Sequence, residues 1–347
     1  MSIQGQRLVR GADVAHAAGV SVATVSLVLN DRRNVVLSER TRDRVREAAR
    51  RLGYLPNRVA QSLIQGRTRT MGVVLPSLAS SFVARIVDGI GSAATSAGLG
   101  LLLAHSRHDP ESEDRQLEIL LGQRVEGIVI VAGEGTLPTL GRRLDRLQQS
   151  ATPFVVVDDD THGHRGDCVV SDDLQGMDLA VAHLASLGHR RIAHLGAGTA
   201  TSTARARQDG YRAAMTRLRL RVDRDWIAGD AFRSADPAAS LMCLLRARRP
   251  PTAVVAANDR HLAAALPSLL AAGVQVPRDL SIVGYANYDF ASYLGLTSVE
   301  QDPELIGAKA FERLRSRIEE GPSKPTRIRM PVRLVLRSST QPAFLRA

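Results

Sequence analysis

The sequence predicts an all-α segment of three helices with a short hinge helix behind it, followed by a two-lobed α/β core of parallel sheets. Three observations carry that reading. Residues 1–56 space their apolar positions by helical turns, with serines at helix starts and glycines at helix ends. From Thr70 the period changes to short apolar strands alternating with amphipathic helices. That alternation runs through the chain twice, and 347 residues are too many for one small core.

Charge divides the chain at the same place. Residues 1–70 hold thirteen Arg, no Lys and five acids, a net +8 out of +11, which leaves +3 for the remaining 277. A basic head on a nearly neutral body is the footprint of a nucleic-acid-binding module joined to something else. Lys occurs only at Lys309 and Lys324, so part of the arginine excess reflects a coding preference rather than phosphate chemistry. No apolar run is long enough to span a bilayer, and the N-terminus lacks a basic-then-apolar signal pattern; a cytoplasmic protein without membrane contact is expected. Cys168 and Cys243 are isolated, with neither a metal spacing nor a disulfide framework.

In the head, Val14, Ala15 and Ala18 share one face of a short helix, and Gly19 supplies the positive φ of a tight turn. Ser21 caps a second helix expected to run through Asn30. Its Val25, Val28 and Leu29 face inward, while Ser21, Val22, Ala23, Thr24, Ser26 and Leu27 face outward or flank the core. Small residues on its first turn let such a helix sit deep in a DNA major groove. After a loop at 31–37, Ser38 caps a third helix that buries Val45, Ala48, Ala49 and Leu52 and ends at Gly53. Pro56 blocks extension, and Asn57 is a good cap for a new helix. Arg58 to Ile64 is helix-competent but only about two turns long, so it should form only when packed on a partner copy or on DNA. Leu63, near Arg58, suits a wedge at a base step. An ordinary three-helix core with a plain linker is the bland alternative.

In the body, strands are expected near 71–76, 99–104, 125–131, 153–157, 191–196, 253–256 and 280–285, with helices near 82–97, 112–121, 204–217 and 260–272. Two such units joined by a hinge enclose a cleft. No nucleophile–base pairing, metal-protease motif or phosphate loop stands out, so no enzyme and no cofactor is expected.

Together the headpiece and body strongly resemble the lac repressor family of bacterial transcription regulators. The resemblance rests on Asp13-Val14-Ala15, Ala18-Gly19-Val20-Ser21, Thr24-Val25-Ser26, Val28-Leu29-Asn30 and Leu52 to Leu63. It continues in Asp172-Asp173, Leu187 to Ala193, Arg207 to Tyr211, Ala257-Asn258-Asp259, Val276-Pro277, Leu280 to Tyr285 and Thr297 to Gln301. It implies a helix-turn-helix headpiece at 1–56, a hinge helix and linker at 57–70, and a periplasmic-binding-protein-like core at 71–340. Lobe one would take 71–170 plus 302–326, and lobe two 171–299 plus 327–340. The implied function is a homodimeric repressor on a near-palindromic operator, controlled by a small molecule between the lobes. Val22, Ala23 and Leu27 would read bases. Ser21, Ser26, Asn30, Tyr54 and Asn57 would support backbone contacts, with Thr24 and Arg58 beside them. Ala60 and Leu63 would enter the minor groove. Phe82, Asp158, Arg207, Asn258 and Gln301 would hold the effector, a sugar or sugar derivative being one candidate.

The sequence departs from the family pattern in places. Leu27 stands where Arg is usual and offers only apolar contact to a base. Arg10 stands in place of a capping Thr, and the loop at 31–37 looks long. Ala286 replaces a frequent Asp, Ser80-Ser81-Phe82-Val83 replaces a common Asn-Pro-Phe-Phe, and aromatics make up only 3% of the chain. These departures keep open a regulator that ignores small molecules or answers to a partner protein; a sugar-binding transport protein is a more distant alternative. Asp158-Asp159-Asp160-Thr161-His162-Gly163-His164 collects acids and imidazoles, but nothing orders that spacing, and a solvated loop is favoured over a metal site.

Overall fold

The computed structural model describes residues 9–29, 37–55, 62, 66–132, 137–160, 165–196, 201–228, 236–321 and 323–343. The chain forms two units, Met1–Thr68 and Arg69–Ala347.

In the first unit, α1 (Gly11–Ala18), α2 (Val22–Leu29) and α3 (Glu39–Leu52) surround a core of Val14, Ala15, Ala18, Val25, Val28, Val45, Ala48 and Ala49. Local chemistry fixes the ends. Gly19 and Gly53 close α1 and α3 in the left-handed conformation, at φ 61° and 64°. Ser38 Oγ accepts from the Thr41 amide at 3.2 Å. Arg10 contributes no side-chain cap, yet α1 starts well, because Asp13 reaches back to accept from the Arg10 amide at 2.7 Å. Of the α3 arginines, Arg42 is turned inward rather than displayed.

The second unit contains two six-stranded sheets. The first, in the order β11-β5-β4-β3-β1-β2, is parallel throughout. Its strands are β1 (Thr70–Leu75), β2 (Gly100–His105), β3 (Ile128–Val131), β4 (Phe154–Val157), β5 (Asp167–Ser171) and β11 (Arg327–Met330). One face packs on α4 (Ser81–Ser96) and α12 (Pro303–Glu320), the other on α5 (Pro110–Gly122) and α6 (Leu137–Gln149).

The second sheet runs β12-β10-β9-β8-β6-β7. It comprises β6 (Ile192–Leu195), β7 (Ile227–Ala228), β8 (Ala253–Ala256), β9 (Ser281–Tyr285), β10 (Thr297–Glu300) and β12 (Arg333–Val335). It lies between α7 (Asp173–Ser186) with α8 (Ser202–Arg217) and α9 (Pro237–Leu245) with α10 (Asp259–Ala271). A short α11 (Asp289–Tyr293) comes after β9. Strands buried on both faces account for apolar runs such as Ile128–Val131 and Ala253–Ala256.

Two expectations need correction. The resemblance puts residues 327–330 in the second lobe, but β11 pairs in parallel with β5, Arg327 opposite Cys168 and Met330 opposite Ser171. Only after 331–332 does the chain return, and β12 then pairs antiparallel with β10, so the second sheet is mixed rather than parallel. The run Arg327 to Val335 keeps one alternation throughout. Ile328 and Met330 fill the first core, while Val332 and Leu334 fill the second. Alternation tells which face is buried, not which sheet buries it. The chain therefore crosses between lobes at Asp172, at Gln301–Asp302 and at 331–332.

The α4–α12 contact needs two glycines. A Cβ on Gly307 would lie 2.0 Å from the Ile86 carbonyl oxygen, and one on Gly89 would lie 2.0 Å from that of Glu304. Backbone cannot give way as a side chain can. Gly307→Ala should cost about 2–4 kcal/mol in chemical denaturation. Gly122→Ala, where a Cβ would meet nothing within 4 Å, should be neutral or slightly stabilising.

Candidate effector cleft and DNA-binding headpiece

On the headpiece, α2 presents its first turn to solvent. Val22 is 53% exposed, Ser21, Ala23 and Ser26 are exposed, and Leu27 and Thr24 are half-buried. Ser21 Oγ accepts from the Thr24 amide at 3.1 Å and shares a hydrogen bond with its hydroxyl, which starts the helix and orients both side chains. Tyr54 packs against the headpiece core, and its hydroxyl lies where a Cβ on Gly11 would approach to 3.3 Å. Asn30, Asn57, Arg58, Ala60 and Leu63 lie outside the described residues.

In the core, Phe82, Asp158, Arg207, Asn258 and Gln301 line one cleft of about 210 Å³. Phe82 comes from the first turn of α4 and Asp158 from the end of β4, both in the first lobe. Arg207 comes from α8, Asn258 caps α10, and Gln301 stands on a crossing segment. Asp158 holds φ at 65°, a costly conformation for a residue other than glycine.

Arg207 is buried and multiply matched. Its Nε donates to Asp173 at 2.9 Å, one terminal nitrogen to the Ala257 carbonyl at 2.7 Å, and the other to Gln301 Oε1 at 3.4 Å. The guanidinium stacks 3.9 Å above the Tyr285 ring. Burial alone would lower its pKa, but Asp173, Tyr285 and Asp158 hold it above the ordinary value. The ion pair leaves terminal N–H groups for a ligand. Gln301 Nε2 in turn donates to Ser171 Oγ at 2.6 Å and ties two crossing segments together.

Several lining residues escaped the sequence reading. Tyr288 faces Phe82 across the cleft with ring centroids 6.5 Å apart, and stacks on Phe290 at 5.4 Å. Scarce aromatics are thus concentrated where a ligand would sit. Ala286 also lines the cleft, and both it and Asn287 have positive φ. The turn is held by Asp259, whose carboxylate accepts from the Tyr288 amide at 2.9 Å and from Ser298 Oγ at 2.7 Å. Burial pushes Asp259 up to about 6 despite those hydrogen bonds.

The acidic loop has its own commitments. The Asp158 carbonyl accepts from Thr203, Asp159 accepts from Ser202, and Asp160 pairs with Arg327. Among the described residues no group of three His, Cys, Asp or Glu could hold a metal; Thr161, His162, Gly163 and His164 lie outside them. His189 is structural, bridging Thr252 at 2.9 Å and Ser281 at 3.1 Å.

Comparison with known proteins agrees with both parts. Residues 12–57 match the bacterial regulatory proteins of the lacI family, and residues 181–340 match a periplasmic binding protein-like domain. The HTH-type transcriptional repressor PurR of Vibrio cholerae is 32% identical over 310 residues, covering 89% of this chain and 91% of that protein. The chain belongs to the lacI family of bacterial regulatory proteins. The lac repressor dimer bound to operator and the anti-inducer ONPF superposes with a TM-score of 0.82 at 29% identity, covering 96% of this chain and all of that one. The regulator CelR in complex with cellobiose gives 0.70 at 30% identity, covering 95% of this chain and 99% of that one. This lacI-family protein is a DNA-binding repressor with a core for a small-molecule effector. Among its described residues no single helix is long and apolar enough to cross a membrane.

Two buried imidazoles of the second lobe, His194 and His261, should make the fold acid-sensitive. Burial pushes His194 down to about 4, and burial together with Arg207 does the same to His261. An unfolded chain would bind these protons near pH 6.5, so their stabilisation is complete above 6.5 and is lost as pH falls towards 4. Asp259 acts oppositely, because its folded value is raised. Between pH 7 and 5 each imidazole should remove about 2 kcal/mol and Asp259 return about 1. Denaturant titrations at both pH values should show His194→Gln losing about 2 kcal/mol less than the parent; an unchanged pH slope would refute the assignment.

Proposed function

We propose that the repressor works as a dimer on a near-palindromic operator, and that a small polar molecule in the interlobe cleft sets its affinity for that DNA. The observation that carries the reading is the convergence of Phe82 and Asp158 from one lobe with Arg207 and Asn258 from the other and Gln301 from a crossing segment. A ligand touching both lobes binds one lobe arrangement better than another, and only such a ligand can shift the equilibrium. Binding rather than turnover suits these side chains, since Arg207 is fixed by Asp173 and Asn258 Oδ1 is used to cap α10. A sugar or sugar derivative fits the mixture of Phe82 and Tyr288 with hydrogen-bonding groups, and cellobiose is bound by the related CelR. Leu102 and Leu103 on the edge strand β2, with Leu270, Tyr293 and Leu294 on the second lobe, are exposed apolar positions suited to a partner copy. A repressor acting on operator DNA would do so in the cytoplasm.

On DNA, Val22, Ala23 and Leu27 would contact base edges, with Leu27 favouring a thymine methyl over a guanine. Ser21, Thr24, Ser26, Asn30, Tyr54, Asn57 and Arg58 would hold the backbone, and Ala60 with Leu63 would open the operator centre. A second reading, a regulator indifferent to small molecules, is favoured by one observation: Ala286 puts a methyl group into the cleft where the family often has a carboxylate.

Two measurements test these readings. A thermal-melt screen of the full chain against sugars, sugar phosphates, nucleosides and amino acids should yield a ligand that raises the melting point, by about 2.7 kcal/mol of stability at a hundredfold excess over Kd. A blank screen with operator binding intact would favour the second reading. Leu63→Ala should keep the fold and weaken specific binding about tenfold or more; unchanged operator affinity would remove the wedge from the account.

A further inference from the structure

A buried carboxylate joins the two lobes at a point that the effector contacts do not require. Asp159, only 1% exposed, is the second residue after β4 of the first lobe. Ser202 is the first residue of α8 in the second lobe and is also buried. Ser202 Oγ donates to Asp159 Oδ2 at 2.9 Å, and the Ser202 amide approaches the same oxygen at 3.3 Å. The hydroxyl also accepts from the Asp160 amide at 3.1 Å, and next to it Thr203 Oγ1 donates to the Asp158 carbonyl at 2.8 Å. Four hydrogen bonds thus stitch 158–160 to the start of the helix that carries Arg207. A carboxylate at a helix N-terminus, shielded from water, is well placed to accept strongly. The stitching also holds Asp158 at its positive φ.

We propose that Asp159 and Ser202 form a latch that shuts the cleft without ligand, and that the effector controls operator affinity by acting on this pair. The inference rests on the reading of the cleft as the effector site. Its logic is energetic. A ligand shifts an equilibrium only through its difference in affinity for the two states. With the latch made, the closed state is already favoured, so a ligand that merely bridges the lobes changes little. Asp159 is also among the residues that line the cleft, so a ligand seated there lies next to the latch. Asp159 is then a positioning residue that sets the resting lobe equilibrium.

The test uses the full-length, ligand-free protein. Hydrogen exchange should show the Ser202 and Asp160 amides protected, and Asp159→Ala and Ser202→Ala should each speed exchange in both segments about tenfold or more while leaving β8 unchanged. Ser202→Thr, which keeps the hydroxyl, should restore protection. Operator affinity, measured on a duplex selected from a random pool, should shift about tenfold in Asp159→Ala and in the same direction in Ser202→Ala. The double variant should go no further than Asp159→Ala alone. Parent amides that exchange as fast as those of Asp159→Ala, or parent-like operator affinity in that variant, would overturn the latch. If Asp159→Ala fails to fold, the two Ser202 variants carry both measurements. If the parent selects no operator, the regulatory reading fails, and the exchange measurement still decides whether the latch exists.

Discussion

Arg207 keeps a full positive charge inside the second lobe, and much of the cleft is arranged around that fact. Taking a guanidinium out of water costs several kcal/mol unless its hydrogen bonds and charge are answered locally. Asp173 answers the charge, the Ala257 carbonyl and Gln301 take further N–H groups, and Tyr285 supplies its face. Each partner constrains another element in turn. Asp173 fixes the first turn of α7, directly after the chain has crossed from the first lobe. Tyr285 needs Gly176 opposite, because a Cβ there would lie 2.3 Å from its hydroxyl. Gln301 carries the connection back to Ser171 at the end of the first sheet. A single charge thereby fixes two helices, the ends of two strands and two crossing segments. Removing one partner would leave the other charge buried and unmatched, which costs more than removing both.

A second buried charge does similar work elsewhere in the second lobe. Asp259 organises the turn at Ala286 and Asn287 that delivers Tyr288, and it has room only because position 284 is glycine; a Cβ there would lie 1.8 Å from Asp259 Oδ1. Burial opposes its ionisation while three hydrogen bonds support it. The two carboxylates play different parts: Asp173 cancels a charge, whereas Asp259 shapes backbone. Both lie behind the surface that a ligand would touch, since neither is among the residues lining the cleft.

The headpiece was legible because its signals are local. Serine caps, left-handed glycines and helical spacing of Val14, Val25 and Val45 all act within one or two turns. The five cleft residues are legible only through the family resemblance, and the fold brings them to one cavity. What sequence concealed depends on distance along the chain. Asp173 and Arg207 meet 34 residues apart, and Asp159 meets Ser202 across 43. Three successive aspartates look like a solvated run, and only the tertiary fold gives each a different partner. Helix α12 was missed because glycine and alanine at 307 and 310 thin its apolar stripe, although those small residues are what permit its close approach to α4. The lobe assignment of 327–330 failed because a period of two survives the change of sheet at Pro331.

The route of the chain has a consequence for how the protein is made. The first sheet gains its β11 edge only when residues 327–330 arrive, and Phe311 and Leu314 of α12 complete one of its apolar faces. A ribosome that has released the first 171 residues has therefore delivered five of six strands but not the helix that covers them. The nascent first lobe must wait, with part of its interior open, while the whole second lobe is synthesised. Folding in the order of synthesis, the usual route for a chain of separate domains, is unavailable to these two lobes, which must be completed together.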